Sequence, residues 1–141
     1  MEINCFDGEY AFLSNFFPCI IKFDNNNYPT VEHAFQAAKT RDRKEQFKIW
    51  QADTPGKAKR LGRKVTLRED WEEVKRDFMR DFIHQKFQNE NLKKLLLATG
   101  DAELIEGNYW HDYYWGVCNG VGQNWLGKIL MEEREKIKNG N

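Results

Sequence analysis

Three stretches of the chain carry residue types that could do acid–base or nucleophilic chemistry. In Thr30-Val31-Glu32-His33-Ala34-Phe35-Gln36-Ala37-Ala38-Lys39, the residues Glu32, Gln36 and Lys39 stand at i, i+4 and i+7. A helix there places a carboxylate, a carboxamide and an amine on one stripe, beside an apolar stripe of Val31, Ala34, Phe35 and Ala38. Two readings stay open: a solvated helix face, or a pocket wall able to handle protons or a developing cation. The second stretch, Lys57-Ala58-Lys59-Arg60-Leu61-Gly62-Arg63-Lys64, has five basic residues in eight. It reads either as a helix end whose cations complement the dipole or as a phosphate clamp with bidentate arginines. In the third, Tyr109-Trp110-His111-Asp112-Tyr113-Tyr114-Trp115-Gly116, six of eight residues are Tyr, Trp or His. No periodicity places these rings in a core, and rings of this kind stack on flat heterocycles. Asp112 lies among them, and Glu106 is a further carboxylate on the same approach.

The elements that must position these residues are mostly helical. Cys19–Phe23 reads as a short strand followed by an Asn25–Asn27 turn. Thr30 is the expected N-cap of a helix to about Lys39, and a second helix covers roughly Arg43 to Ala52. Thr54 caps a third, with Pro55 at its first position and Gly62 at its end. A long helix starts at Asp70, where Asp70 and Glu73 have the spacing of a capping box and Trp71, Val74, Phe78 and Phe82 face the core. Leu92–Ala98 is a further helix, Glu103–Glu106 a short strand, and Asn124 the expected cap of a last helix ending near Lys138. This reads as a single α+β domain over residues 1–141, mainly helical with a few short strands.

Composition removes several function classes. Lysine plus arginine and aspartate plus glutamate number 22 each, so the formal charge is zero. A domain held on nucleic acid mainly by phosphate attraction is usually strongly basic. Cys5, Cys19 and Cys118 form no CxxC pair and suit a reducing compartment. No basic segment leading into an apolar run opens the chain, so a cytoplasmic protein is expected, with no membrane partner. His33, His84 and His111 fit no zinc spacing, and the lone Ser14 is in no nucleophile elbow. Gly122–Lys128 spells GxxxxGK, but Ile129 follows where a magnesium-binding hydroxyl is needed. No metal and no cofactor are expected.

The candidate residues recur within a longer series. It comprises Leu13-Ser14-Asn15-Phe16, Tyr28-Pro29-Thr30-Val31-Glu32-His33 with Gln36 and Lys39, and Ala58-Lys59-Arg60-Leu61-Gly62-Arg63. Asp70-Trp71, Lys86-Phe87, Thr99-Gly100-Asp101 and Asp112 with Trp115-Gly116 follow. Gly122, Asn124, Leu126-Gly127-Lys128-Ile129-Leu130-Met131 and Arg134 complete it. No piece is specific alone, but in this order, from about residue 6 to residue 134, they resemble the YbiA/NADAR family.

That resemblance implies an N-glycosidase that cuts between ribose C1′ and nitrogen. One branch of the family hydrolyses ribosylaminopyrimidine phosphate intermediates of riboflavin biosynthesis; another removes ADP-ribose from modified guanine, free or in nucleic acid. ADP-ribosylated nucleic acid is therefore a candidate partner beside a small ribose-phosphate substrate, and a non-catalytic ADP-ribose-binding module is a third reading. Carried over residue by residue, Glu32 and Asp112 are the catalytic carboxylates, which stabilise an oxocarbenium-like transition state or orient water. Lys39 is a candidate nucleophile for C1′ of an opened sugar. Trp71 and Trp115 wall in the base, Arg60 and Arg63 hold phosphate, and Asn15 and Gln36 bond ribose hydroxyls. The chain departs from the family between Glu106 and Asp112, where it is longer and more aromatic at Tyr109 and Trp110.

Overall fold

The computed structural model describes residues 1–140. In chain order the elements are β1 (Glu2–Ile3), a 3-10 helix (Gly8–Leu13), β2 (Pro18–Phe23), β3 (Asn26–Thr30), α1 (Val31–Ala38), α2 (Arg43–Trp50), α3 (Pro55–Gly62), α4 (Trp71–Lys86), α5 (Glu90–Ala98), β4 (Glu103–Leu104) and α6 (Trp125–Lys138). Helices dominate, and the strands pair into two sheets of two strands each, so the α+β expectation holds. The chain divides into two compact units: a central one, Asn15–Lys86, and a terminal one built from Met1–Ser14 and the chain from Phe87 onward. No helix among the described residues is long and apolar enough to cross a membrane.

The central unit starts with a β2–β3 hairpin in which Lys22 faces Asn27 and Phe23 faces Asn26. Its turn residues are Asp24 and Asn25, both at positive φ (50° and 68°). Positive φ at both positions is what a type I′ two-residue loop needs to match strand twist, and Asp and Asn tolerate it. The turn thus sits one residue earlier than the Asn25–Asn27 expectation, and Asn26–Thr30 is a strand. Three consecutive asparagines hide it, because Asn is depleted in strands and pairing with β2 overrides that preference.

The helix starts follow local chemistry. Thr30 Oγ1 accepts from His33 N at 3.0 Å, Asp42 Oδ1 from Lys44 N and Glu45 N, and Thr54 Oγ1 from Lys57 N. The α4 start differs from the expected capping box. Asp70 gives its carboxylate to Arg68, at 2.6 Å from Nε and 3.2 Å from Nη2. Ion pairing with a guanidinium thus displaces the reciprocal Asp70–Glu73 cap. From there an aromatic column runs along the helix: Phe35 to Trp71 at 5.0 Å, Trp71 to Phe78 at 6.2 Å and Phe78 to Phe82 at 5.9 Å between centroids. Each such pair contributes about 0.5–1.5 kcal/mol beyond its buried area.

Lys86, the last residue of α4, is 1% exposed, with its amine 5.7 Å from the Phe17 ring centroid. Burial pushes its pKa down from 10.5 to about 8, against the opposing influence of Cys19. Between those two values the unfolded chain holds the proton that the folded chain has lost, so this residue makes stability rise with pH across the window. At about 1.4 kcal/mol per unit, Lys86→Met should add up to about 3 kcal/mol at neutral pH. Its stability, measured by urea unfolding from pH 7 to 10.5, should lack the rise seen in the parent.

In the terminal unit β1 and β4 pair in parallel, Glu2 with Glu103 and Ile3 with Leu104. The other edge of β4 is closed by one side chain. Asn124 Nδ2 donates to Leu104 O at 2.9 Å, and Asn124 Oδ1 accepts from Glu106 N at 2.9 Å. This carboxamide does what a residue of a neighbouring strand would do. Asn124 therefore stands at the N-cap position of α6 at φ 57° without capping it, contrary to expectation. Gly127, on the first turn of α6, has no room for a Cβ against Leu104 O and the Asn124 side chain. The amine of Lys128 lies 4.5 Å from the Trp125 ring centroid. The GxxxxGK spelling thus serves helix packing and surface stacking.

Candidate active site

The first turn of α1 fixes Glu32 from two sides. Its N–H donates to Asn15 O at 3.0 Å, and Gln36 Nε2 donates to Glu32 Oε2 at 2.7 Å. Glu32 is 8% exposed and Gln36 5%, so the stripe is no solvated face. Every residue of α1 is buried, because α2, α3, α4 and the hairpin all pack on it. An ionised carboxylate only accepts hydrogen bonds, so Gln36 must turn its amide nitrogen to Glu32 and its oxygen away. That oxygen, Oε1, is buried without a hydrogen-bond partner, and so is Asn15 Oδ1.

Lys39 follows as the C-cap of α1, half-buried, with its carbonyl accepting from Arg68 N at 2.7 Å. Burial lowers its pKa from the ordinary lysine value; the charge of Glu32 opposes this, and the cations Arg63, Lys59 and Lys75 add to it. His33, beside Glu32 in sequence, is a brace. Its Nδ1 is 2.8 Å from Thr30 Oγ1 and its Nε2 is 2.9 Å from Ala52 O. Only a donor satisfies a carbonyl, so Nε2 carries hydrogen, and both ring nitrogens are engaged by protein partners.

Helix α3 crosses α1 at Gly62, where a Cβ would overlap the Gln36 carboxamide. Gly62 is the last residue of α3, and its φ is not positive. The glycine therefore serves close approach to Gln36, and Arg63 takes the cap position expected of it. Arg60 and Arg63, with Lys57, Leu61 and Lys64, line a concavity of about 310 Å³. Lys57 pairs with Asp53 at 3.7 Å. Arg60, Arg63 and Lys64 have no carboxylate within ion-pair distance among the described residues. Arg63 thus belongs to the basic concavity and also acts on Lys39. Trp71 is 6% exposed between Phe35 and Phe78, which makes it a wall with little free ring face.

Asp112 and Trp115 belong to the terminal unit. Asp112 Oδ1 accepts from Tyr114 N at 3.1 Å and Trp115 N at 2.9 Å, so carboxylate and indole are held by one turn. Asn108 locks the turn: its Oδ1 accepts from Asp112 N, and its Nδ2 donates to Asp112 O at 3.0 Å and Glu106 Oε2 at 3.1 Å. The residues between are displayed to solvent. Tyr109 is 84% exposed and meets Trp110 edge-on at 5.1 Å, and His111 sits at φ 65° with Nδ1 3.0 Å from Tyr113 OH. Among the described residues no group of His, Cys, Asp and Glu is arranged to hold a metal ion.

Of the residues expected from sequence, Asn15, Glu32, Gln36, Lys39 and Arg63 gather around α1, with Arg60 one turn from Arg63. Gly62, Arg68 and Asn108 support these groups and were not singled out as site residues. Gly62 had a visible signal, a glycine among helix formers, which read as a helix stop. Arg68 acts on Lys39 through a long-range main-chain contact and Asn108 through several side-chain contacts inside a loop, and neither leaves a periodic pattern.

The family model described as the NADAR domain matches residues 5–138. The N-glycosidase YbiA of Shigella flexneri serotype 5b is 44% identical over 133 residues, which is 92% of this chain and 82% of that protein. A riboflavin biosynthesis protein of Vibrio vulnificus is 40% identical over 136 residues, 94% of this chain but 37% of that longer protein. The NMR structure of YbiA from E. coli superposes with a TM-score of 0.84 at 40% identity, covering 99% of this chain and 88% of that one.

Proposed function

The chain belongs to the NADAR domain family, and we infer that it is an N-glycosidase cutting the C1′–N bond of a ribose phosphate. Relatives named as N-glycosidases and as a riboflavin biosynthesis protein support this, with ribosylaminopyrimidine phosphates of riboflavin biosynthesis as the substrates. The family match over residues 5–138 supports treating the whole chain as one domain of this kind. Three free cysteines are in keeping with a cytoplasmic site of action.

The observation that carries the reading is a buried carboxylate, Glu32, oriented by Gln36 two helical turns before a lysine of lowered pKa. As the C1′–N bond breaks, positive charge develops at C1′ and the ring oxygen, and a fixed carboxylate in a water-poor site stabilises it without reorganising. Water adds its oxygen to C1′ and gives up a proton, the leaving nitrogen gains one, and ribose 5-phosphate and the free amine are the products. Glycosylamines also open to an imine. The Lys39 amine adds to C1′ of that form, expels the aglycone amine, and the resulting Schiff base is hydrolysed to ribose 5-phosphate and free lysine. Arg60 and Arg63 hold the phosphate, Asn15 and Gln36 the sugar, and Trp71 walls the base. Asp112 and Trp115 are assigned, by family resemblance, to the second carboxylate and a further wall.

A second reading, removal of ADP-ribose from modified guanine free or in nucleic acid, draws on the basic concavity, which has more cations than one phosphate needs. Ribosylaminopyrimidine phosphate and ADP-ribosylated guanosine, each incubated with the purified protein while free sugar phosphate is followed, separate the two. Turnover of the first alone supports our reading, of the second alone the alternative, and of neither a binding module.

The Lys39 step has its own test. Only the neutral amine attacks, so the rate should rise with pH through a midpoint below the ordinary lysine range. Lys59→Gln removes one of the cations that lower this pKa and should move the midpoint to higher pH. Borohydride added during turnover should attach the sugar to Lys39, read by peptide mass; an unlabelled Lys39 in active enzyme rejects the covalent route.

A further inference from the structure

We propose that Asn108 is a positioning residue: its carboxamide holds Asp112 and Trp115 in place and lets the segment 109–111 bulge outward without moving them. This rests on the N-glycosidase reading and on the assignment of Asp112 to the reaction. Asn108 Oδ1 accepts from Asp112 N at 3.1 Å, and Nδ2 donates to Asp112 O at 3.0 Å. These are the two bonds that a facing residue of an antiparallel strand would exchange with Asp112. An N–H only donates and a carbonyl only accepts, so the carboxamide has a single orientation. Its second Nδ2 hydrogen then meets Glu106 Oε2 at 3.1 Å. Gly116 closes on both, since a Cβ there would overlap Glu106 Oε2 and Asn108 Nδ2.

The far side of the turn is fixed as well. Tyr114 O and Trp115 O accept from Trp125 N at 3.1 Å and Leu126 N at 3.0 Å, the first N–H groups of α6. At the base of the loop, Asn108 N donates to Val117 O and Val117 N to Glu106 O, both at 2.9 Å. None of these bonds involves Tyr109, Trp110 or His111. Those three residues leave Asn108 and return to the carboxamide of the same residue. Tyr109 is 84% exposed, and His111 stands at φ 65°, a left-handed conformation that a residue with a Cβ holds only where its surroundings impose it. This is also where the chain is longer than its family. Closure cost grows only with the logarithm of loop length, so a segment pinned at both ends takes up an added residue cheaply. The pin therefore keeps the added length away from Asp112.

The experiment measures kcat and KM on a ribosylaminopyrimidine 5′-phosphate, with amide hydrogen exchange at Tyr114 and Trp115. It uses wild type, Asn108→Ala, and a chain with one glycine inserted between Tyr109 and Trp110. Asn108→Ala should lower kcat by about 100-fold, the cost of misplacing a reacting group by about 1 Å, and should speed exchange at both amides. The insertion should leave kcat within about threefold and both amides protected. Placed in the Asn108→Ala chain, the same insertion should cost a further loss, a non-additivity that marks the pin. A purely structural Asn108 would lower the melting temperature and leave kcat of the folded protein within about threefold, and that result overturns the proposal. So does an insertion that lowers kcat as far as Asn108→Ala does. If Asn108→Ala does not fold, Asn108→Asp replaces it with the same expectation, because it keeps the acceptor for Asp112 N and loses the donor to Asp112 O. If wild type turns over nothing, the N-glycosidase reading falls and exchange decides. Amides that open in the Asn108 variant and stay protected in the insertion uphold the pin, and amides protected in both end it.

Discussion

Glu32→Gln should lower kcat by about 10³-fold while leaving the affinity for ribose 5-phosphate within a few-fold of the parent. The substitution is close to isosteric, and an amide at position 32 can still accept from Gln36 Nε2 through its oxygen, so the 2.7 Å contact need not break. What is lost is the negative charge. Glu32 is 8% exposed, so its charge is poorly screened, and in the proposed reaction it would stabilise the positive charge developing at C1′ far more than the uncharged glycosidic bond of the ground state. The loss should therefore fall on kcat and spare KM. Steady-state kinetics with calorimetry of the sugar phosphate checks this. A variant with kcat near the parent value removes Glu32 from the reaction, and one that no longer binds the sugar phosphate points to a fold defect.

Gly62→Ala is the second large effect and tests support at one remove from the substrate. In an isolated helix this change is favourable by about 1 kcal/mol. Here the added methyl meets the Gln36 carboxamide, and Gln36, 5% exposed between α1 and α3, has little space in which to move. Overpacking of this kind costs about 1–3 kcal/mol, and displacing an orienting group by about 1 Å can cost about 100-fold in rate. Both a lower melting temperature and a lower kcat are expected. Adding Gln36→Ser should restore the melting temperature without restoring activity, which separates steric relief from orientation of Glu32. A Gly62→Ala protein that is more stable and fully active shows that Gln36 holds Glu32 without help from α3.

Features legible from the sequence were those set within a few residues. Thr30, Thr54 and Pro55 mark helix starts because a cap bonds a backbone N–H two or three positions on. The apolar spacing of Trp71, Phe78 and Phe82 marks one face of α4, and the zero net charge sets aside a generic nucleic-acid binder. The i, i+4, i+7 spacing already put Glu32, Gln36 and Lys39 on one stripe, and the ordered motifs tied them to a family and its bond.

Whether that stripe was surface or site, spacing could not decide. Periodicity describes a helix against an unspecified core, whereas α1 is covered on every side by segments as distant in sequence as β2 and α4, and this alone buries Glu32 and Gln36. The same holds for Lys39, whose amine is shifted by burial and by cations at positions 59, 63 and 75. Asn124 and Asp70 make the point from the other direction. Each has the residue type of a helix cap, and each spends its side chain elsewhere, Asn124 on β4 and Asp70 on Arg68. A polar side chain takes the best partner that the fold brings within about 3 Å, and that choice is made by contacts the local sequence does not contain.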